Sequence, residues 1–119
     1  MKYTSTLDFN LLKDLCRVHA PSGNEVGMKE FLLSYIKKNS SKWKHQPKII
    51  EGKGLQDNII LVFGKPRTAI FAHMDSIGFT VRYGKQLVKI GGPVIQNGIK
   101  LTGSDSNGKQ EVTLNLRVC

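Results

Sequence analysis

The sequence predicts an α/β fold in two parts: an α/β segment over residues 1–76, then the beginning of an antiparallel β unit over residues 77–119. Three observations predict it. Apolar residues recur at helical spacing up to Ile36, short and nearly continuous apolar runs follow up to Ala72, and beyond Gly78 the pattern becomes alternation broken by glycine-containing turns. With 119 residues, 39% hydrophobic and 23% charged, the composition is that of one small domain or part of a larger one. Neither wholesale disorder nor two full domains is expected.

The first helix is expected over residues 8–18, where Leu11, Leu12, Leu15, Cys16 and Val18 share helical spacing and Thr6 or Asp8 can cap the start. Ala20-Pro21 stops it, because the residue before a proline is pushed out of the helical region. Ser22-Gly23-Asn24-Glu25 has the form of a capping box that opens a second helix at once. Val26, Phe31, Leu32, Tyr35 and Ile36 are its apolar face, which fades in Lys37-Lys38-Asn39-Ser40-Ser41. Lys48-Ile49-Ile50-Glu51 is a short strand candidate before the Gly52-Lys53-Gly54 break. Residues 58–63 and 68–72, separated by Gly64-Lys65-Pro66, are expected as strands buried on both faces by covering helices. Alternation then predicts strands over residues 79–83, 87–90, 99–102 and 112–118, with turns at Gly84-Lys85, Asn97-Gly98 and Asn107-Gly108. The last strand reaches Cys119 with no closing element, so this second unit is expected to be incomplete.

The longest apolar run, Ile59-Ile60-Leu61-Val62-Phe63, is far short of a bilayer span, and the first residues lack the apolar stretch of a secretory signal. Cys16 and Cys119 do not make a disulfide framework, which points to a cytoplasmic compartment. Eighteen Lys and Arg against nine Asp and Glu give a net charge of +9, which raises nucleic acid as a partner. Both halves of the chain are similarly basic, however, and only Lys37, Lys38, Lys42, Lys44 and Lys48 bunch, with Trp43 and His45 among them. No nucleic-acid motif accompanies them. A solvated helix end is the simpler reading, and neither a nucleic-acid nor a membrane partner is expected.

The stretch with chemistry in it is Ala69-Ile70-Phe71-Ala72-His73-Met74-Asp75-Ser76-Ile77-Gly78-Phe79. An apolar strand would deliver His73 and Asp75 to its C-terminal end, where open α/β sheets place ligand sites. Residues i and i+2 of a strand share a side, so imidazole and carboxylate can work together. A metal-binding histidine typically gives its other ring N–H to a carboxylate, which fixes its tautomer. By itself the tripeptide is more simply read as a histidine hydrogen-bonded near a strand terminus. His19 and His45 read as exposed or structural, Cys16 as a core residue, and Asp57 as a capping or solvated side chain. Gly91-Gly92-Pro93 is turn chemistry, and there is no phosphate loop, serine nucleophile elbow or paired-carboxylate motif.

Taken together, Cys16-Arg17-Val18-His19-Ala20-Pro21-Ser22-Gly23-Asn24-Glu25, then Asp57-Asn58-Ile59, then Ala72-His73-Met74-Asp75-Ser76-Ile77-Gly78-Phe79 and Ile90-Gly91-Gly92 resemble a known family. They are similar to the N-terminal part of the dinuclear-metal aminopeptidases of the glutamyl, deblocking and tetrahedral type. The resemblance runs from about Leu11 to Gly92 and is specific as a set rather than piece by piece. It implies the N-terminal part of a mixed-sheet catalytic domain followed by the start of the family's inserted antiparallel β domain. It implies a hydrolase that releases N-terminal residues from peptides, two divalent metal ions (zinc or cobalt), and homo-oligomers of the full-length form. His73 would be a ligand of one metal ion, and Asp75 the carboxylate that orients His73 without binding metal itself. Ser22 and Glu25 match the turn motif, where capping suffices and no catalytic role is implied. Ser76 stands where the family commonly has Glu, which lowers the charge beside the site.

The family's remaining ligands and its general base follow the inserted domain and have no matching positions here. One histidine cannot hold two metals, so the chain is expected to be a truncated aminopeptidase, inactive alone, with strand edges that invite aggregation. The competing classes are a small basic nucleic-acid-binding module and a non-catalytic aminopeptidase-like protein.

Overall fold

A computed structural model describes residues 9–115, which form two helices and three antiparallel two-stranded sheets, a mixed α/β arrangement. Two compact units divide between Ser76 and Ile77. Candidate caps Thr6 and Asp8, and the end of the last expected strand, lie outside the described residues.

In the first unit, α1 spans Phe9–Arg17. Leu11, Leu15 and Val18 are its half-buried stripe, while Leu12 and Cys16, one turn apart, are exposed. Cys16 is therefore not a core residue: it follows Leu15 by one position, and about 100° of helical rotation carries it off the inner face. Helix α2 spans Val26–Asn39, buries Met28 and Ile36, and half-buries Phe31, Leu32 and Tyr35, whereas Val26 is exposed in its first turn.

The capping box does not form. Glu25 itself occupies the cap position, where its carbonyl accepts the Met28 and Lys29 N–H groups, and no side chain caps the helix. The Glu25 carboxylate turns back to accept the Gly23 N–H at 2.7 Å, and the Ser22 hydroxyl donates to Asp75 instead. The bond to the carboxylate is charge-assisted, roughly twice as strong as one between neutral groups, and it draws the Ser22 side chain toward Asp75.

Strand β1 (Lys48–Ile50) pairs antiparallel with β2 (Ile60–Val62), with Ile49 opposite Leu61. Beyond α2, Trp43 rests against Phe63 just past β2, their ring centroids 6.3 Å apart. Lys29 of α2 reaches Glu51 at 3.1 Å, a partly exposed pair that contributes up to about 1 kcal/mol. The expectation of doubly buried strands fails here. All of β1 and part of β2 are exposed, and residues 68–72 pair with nothing. Ile70 and Phe71 are 95% and 91% exposed. An apolar run becomes a buried strand only when neighbouring strands and helices cover it, and the described residues provide none over this segment. What holds its end is a parallel bridge between Pro21 and Ser76, made by the Ser76 N–H donating to the Ala20 carbonyl at 2.7 Å. Ala20 is fully buried there.

In the second unit, β3 (Gly78–Val81) pairs with β4 (Leu87–Ile90), and β5 (Lys100–Asp105) with β6 (Gly108–Thr113). Gly84 and Lys85 both adopt left-handed backbone in the β3–β4 turn, the conformation that matches the twist of a tight hairpin. The β5–β6 turn falls on Ser106-Asn107, one residue earlier than the expected Asn107-Gly108, because Asp105 accepts the Asn107 N–H at 2.7 Å and Gly108 already opens β6. Leu114 and Pro93 are buried in this unit. Gly91, with φ of 71°, follows β4 directly, and a β-carbon there would sit 3.0 Å from the Ile77 side chain. Among the described residues no helix is long and apolar enough to cross a membrane.

Urea unfolding separates these roles. Ile36→Ala is expected to cost about 2–4 kcal/mol, and Cys16→Ala to stay within about 0.5 kcal/mol. Gly91→Ala is expected to cost about 1–2 kcal/mol, since an L side chain meets both the left-handed backbone penalty and Ile77.

Candidate functional site

Three separate segments of the first unit line one open cleft of about 500 Å³. They are Gly23 and Glu25 from the turn before α2, Gln56, Asp57 and Asn58 before β2, and Ala72, His73, Met74 and Asp75. Each is placed by a local cause. The turn is held by the Asn24 N–H donating to the Pro21 carbonyl at 2.8 Å. The second segment is held by the Asn58 backbone and side-chain amides, which both donate to the Leu55 carbonyl. The third is held by the bond from Ser76 to Ala20.

At the centre of the site lies a connected set of side chains. Asp75 accepts the Ser22 hydroxyl on Oδ2, and its Oδ1 lies 3.2 Å from Nδ1 of His73. The same ring nitrogen is 3.0 Å from the Asp75 carbonyl oxygen. A carbonyl only accepts, so Nδ1 carries the proton and the neutral ring keeps its lone pair on Nε2. His73 is largely exposed, and Nε2 has no hydrogen-bond partner among the described residues. The Ser22 hydroxyl, and to a lesser extent its own backbone and the His73 ring, hold the Asp75 carboxyl below the usual aspartate range. His73 and Asp75 are thus brought together, but by a segment outside any strand rather than by the C-terminal end of a buried one.

Asp57 and Glu25 border the same cleft, although in sequence Asp57 reads as a capping or solvated residue and Glu25 as half of a capping box. Ser22 was likewise given a helix-capping part. No local pattern pairs Ser22 with Asp75, since 53 residues separate them. His19 and His45 are exposed, and neither lines the cleft.

A metal ion of the kind the resemblance implies would find one imidazole nitrogen here, Nε2 of His73. A catalytic zinc ion takes about three protein ligands. Among the described residues no three His, Cys, Asp or Glu side chains gather as a metal site. No known family model matches the chain, and a search of curated proteins returns no match.

The lowered Asp75 carboxyl has a consequence with a definite sign. A carboxylate depressed in the folded state adds stability above its unfolded value, and that stability is lost as pH falls through the folded value. Ser22→Ala is expected to raise the Asp75 midpoint toward the ordinary aspartate range. The acid-side loss of stability then shrinks, as carbon-detected NMR titration and urea melts at falling pH would show.

Proposed function

We propose that this chain carries the N-terminal part of a metal-dependent aminopeptidase, a cytoplasmic hydrolase that releases N-terminal residues from peptides. The observation that carries the reading is the shared cleft. Pieces of three of the motifs that suggested the family, far apart in sequence, line one surface of one unit with His73 and Asp75 among them. His73 is the proposed ligand of one of two divalent ions, zinc or cobalt, and Asp75 the group that orients it. In the same reading the other ligands and the general base lie on further chain, and the full-length form is a homo-oligomer.

The exposed run at Ile70-Phe71 supports the view that these residues act as part of something larger. Covering two such side chains is worth roughly 3–6 kcal/mol, comparable with the whole stability of many small domains, and the described residues leave that gain unrealised. A chain with one ligand histidine is expected to release no N-terminal residues from peptides supplied with zinc or cobalt. Activity that disappears in His73→Ala would overturn the proposed inactivity. Sequencing the coding DNA beyond codon 119 tests the family reading. A downstream Asp, paired Glu and final His in any frame support it, and a stop with none of them in any frame for about 200 codons sinks it.

A basic binding module is the second reading, favoured by one observation. Lys37, Lys38, Lys42, Lys44 and Lys48 are all exposed, and none forms an ion pair among the described residues. Against it, Trp43 is half-buried on Phe63 rather than free to stack on a base. If five lysines neutralised phosphates of a single strand, log affinity would fall with log salt at a slope of about −3.5. A flat salt dependence in fluorescence titrations with an oligonucleotide excludes this reading.

A further inference from the structure

We infer that Ser22 is a positioning residue: by holding one oxygen of Asp75 it aims the other at His73, which keeps the ring in the tautomer that leaves Nε2 free. The use of that free nitrogen as a metal ligand rests on the aminopeptidase reading, but the tautomer lock does not.

Ser22 and Asp75 are 53 residues apart, and both belong to segments whose backbones are already joined. The bond from the Ser76 N–H to the Ala20 carbonyl fixes the chain on either side of the pair, so the side-chain bond is not needed to bring the segments together. What remains for the hydroxyl to decide is the rotation of the carboxylate. Asp75 is partly exposed, and a solvated carboxylate turns freely about its terminal bond. With Oδ2 engaged by Ser22, Oδ1 faces Nδ1 of His73 at 3.2 Å. Nδ1 then has two acceptors, that carboxylate oxygen and the Asp75 carbonyl, and both require the proton on Nδ1. An isolated neutral imidazole has no such constraint. The hydroxyl belongs to Ala20-Pro21-Ser22-Gly23, so a turn that reads in sequence as a helix start instead sets the chemistry of a histidine across the cleft.

The test is the imidazole nitrogen spectrum of the nitrogen-15-labelled chain, recorded well above the pH at which imidazoles are protonated. His73 of the unaltered chain is expected mainly in the Nδ1–H form, assigned by its loss in His73→Gln. Ser22→Ala is expected to raise the population of the Nε2–H form at least twofold. Ser22→Thr, which keeps the hydroxyl, should return it to the original ratio, and His19 and His45 should not move. Solvent protection of the Ser76 amide in each variant reports whether the backbone bridge is retained. An unchanged ratio in Ser22→Ala with the bridge intact overturns the inference. So does an unaltered chain whose His73 is mainly in the Nε2–H form, whatever the variants do. No metal or peptide enters the measurement, so its failure is distinct from failure of the aminopeptidase reading.

Discussion

One wall of the cleft depends on a single point of backbone contact, where the Ser76 N–H meets the Ala20 carbonyl and Pro21 lies beside Ser76 as a parallel bridge. Proline has no N–H to give, so the bridge relies on the carbonyl before it and the amide of Ser76. Ala20 fits because it is small enough to be buried completely at the crossing. Without this contact residues 68–75 would have no partner, since no strand pairs with them, and the Ser22 hydroxyl would not be near Asp75. The bridge is thus what converts an unpaired extended segment into one wall of a cleft.

Electrostatics follow from that placement. Asp75 is stabilised as an anion by a hydroxyl from one side and an imidazole from the other, and the carboxylate ends up shared between two groups that meet nowhere else. Glu25 does not compete for Ser22, because its carboxylate has folded back on the Gly23 N–H. The start of α2 consequently lacks a side-chain cap, and the cap that the sequence offers is spent on the cleft. Replacing a cap typically costs about 1 kcal/mol, which a helix with buried Met28 and Ile36 can absorb.

The packing is thin where the site is richest. Ile70 and Phe71, one residue short of His73, lie in solvent, although their side chains are of the kind that usually fill a core. Isolated exposed apolar residues are ordinary, but here two large ones stand in succession on a segment with unpaired backbone.

Local features were legible in the sequence because their causes are local. Helical spacing located α1 and α2, alternation located β3, β4 and much of β5, and glycines marked the turns, each determined by neighbours a few residues away. The closeness of His73 to Asp75 was legible for the same reason, being separated by one residue. Burial was not. Cys16 and Val26 share apolar character with their neighbours yet face outward, and residues 68–72 read as a buried strand yet pair with nothing, because cover is a property of what packs against a segment. The choice of Ser22 for Asp75 over the end of α2 was equally beyond any local pattern. Sequence by itself determined which backbone shapes each stretch prefers and which side chains can do chemistry. Tertiary structure alone decided which of those groups meet, since a hydrogen bond across 53 residues depends on where the intervening chain returns.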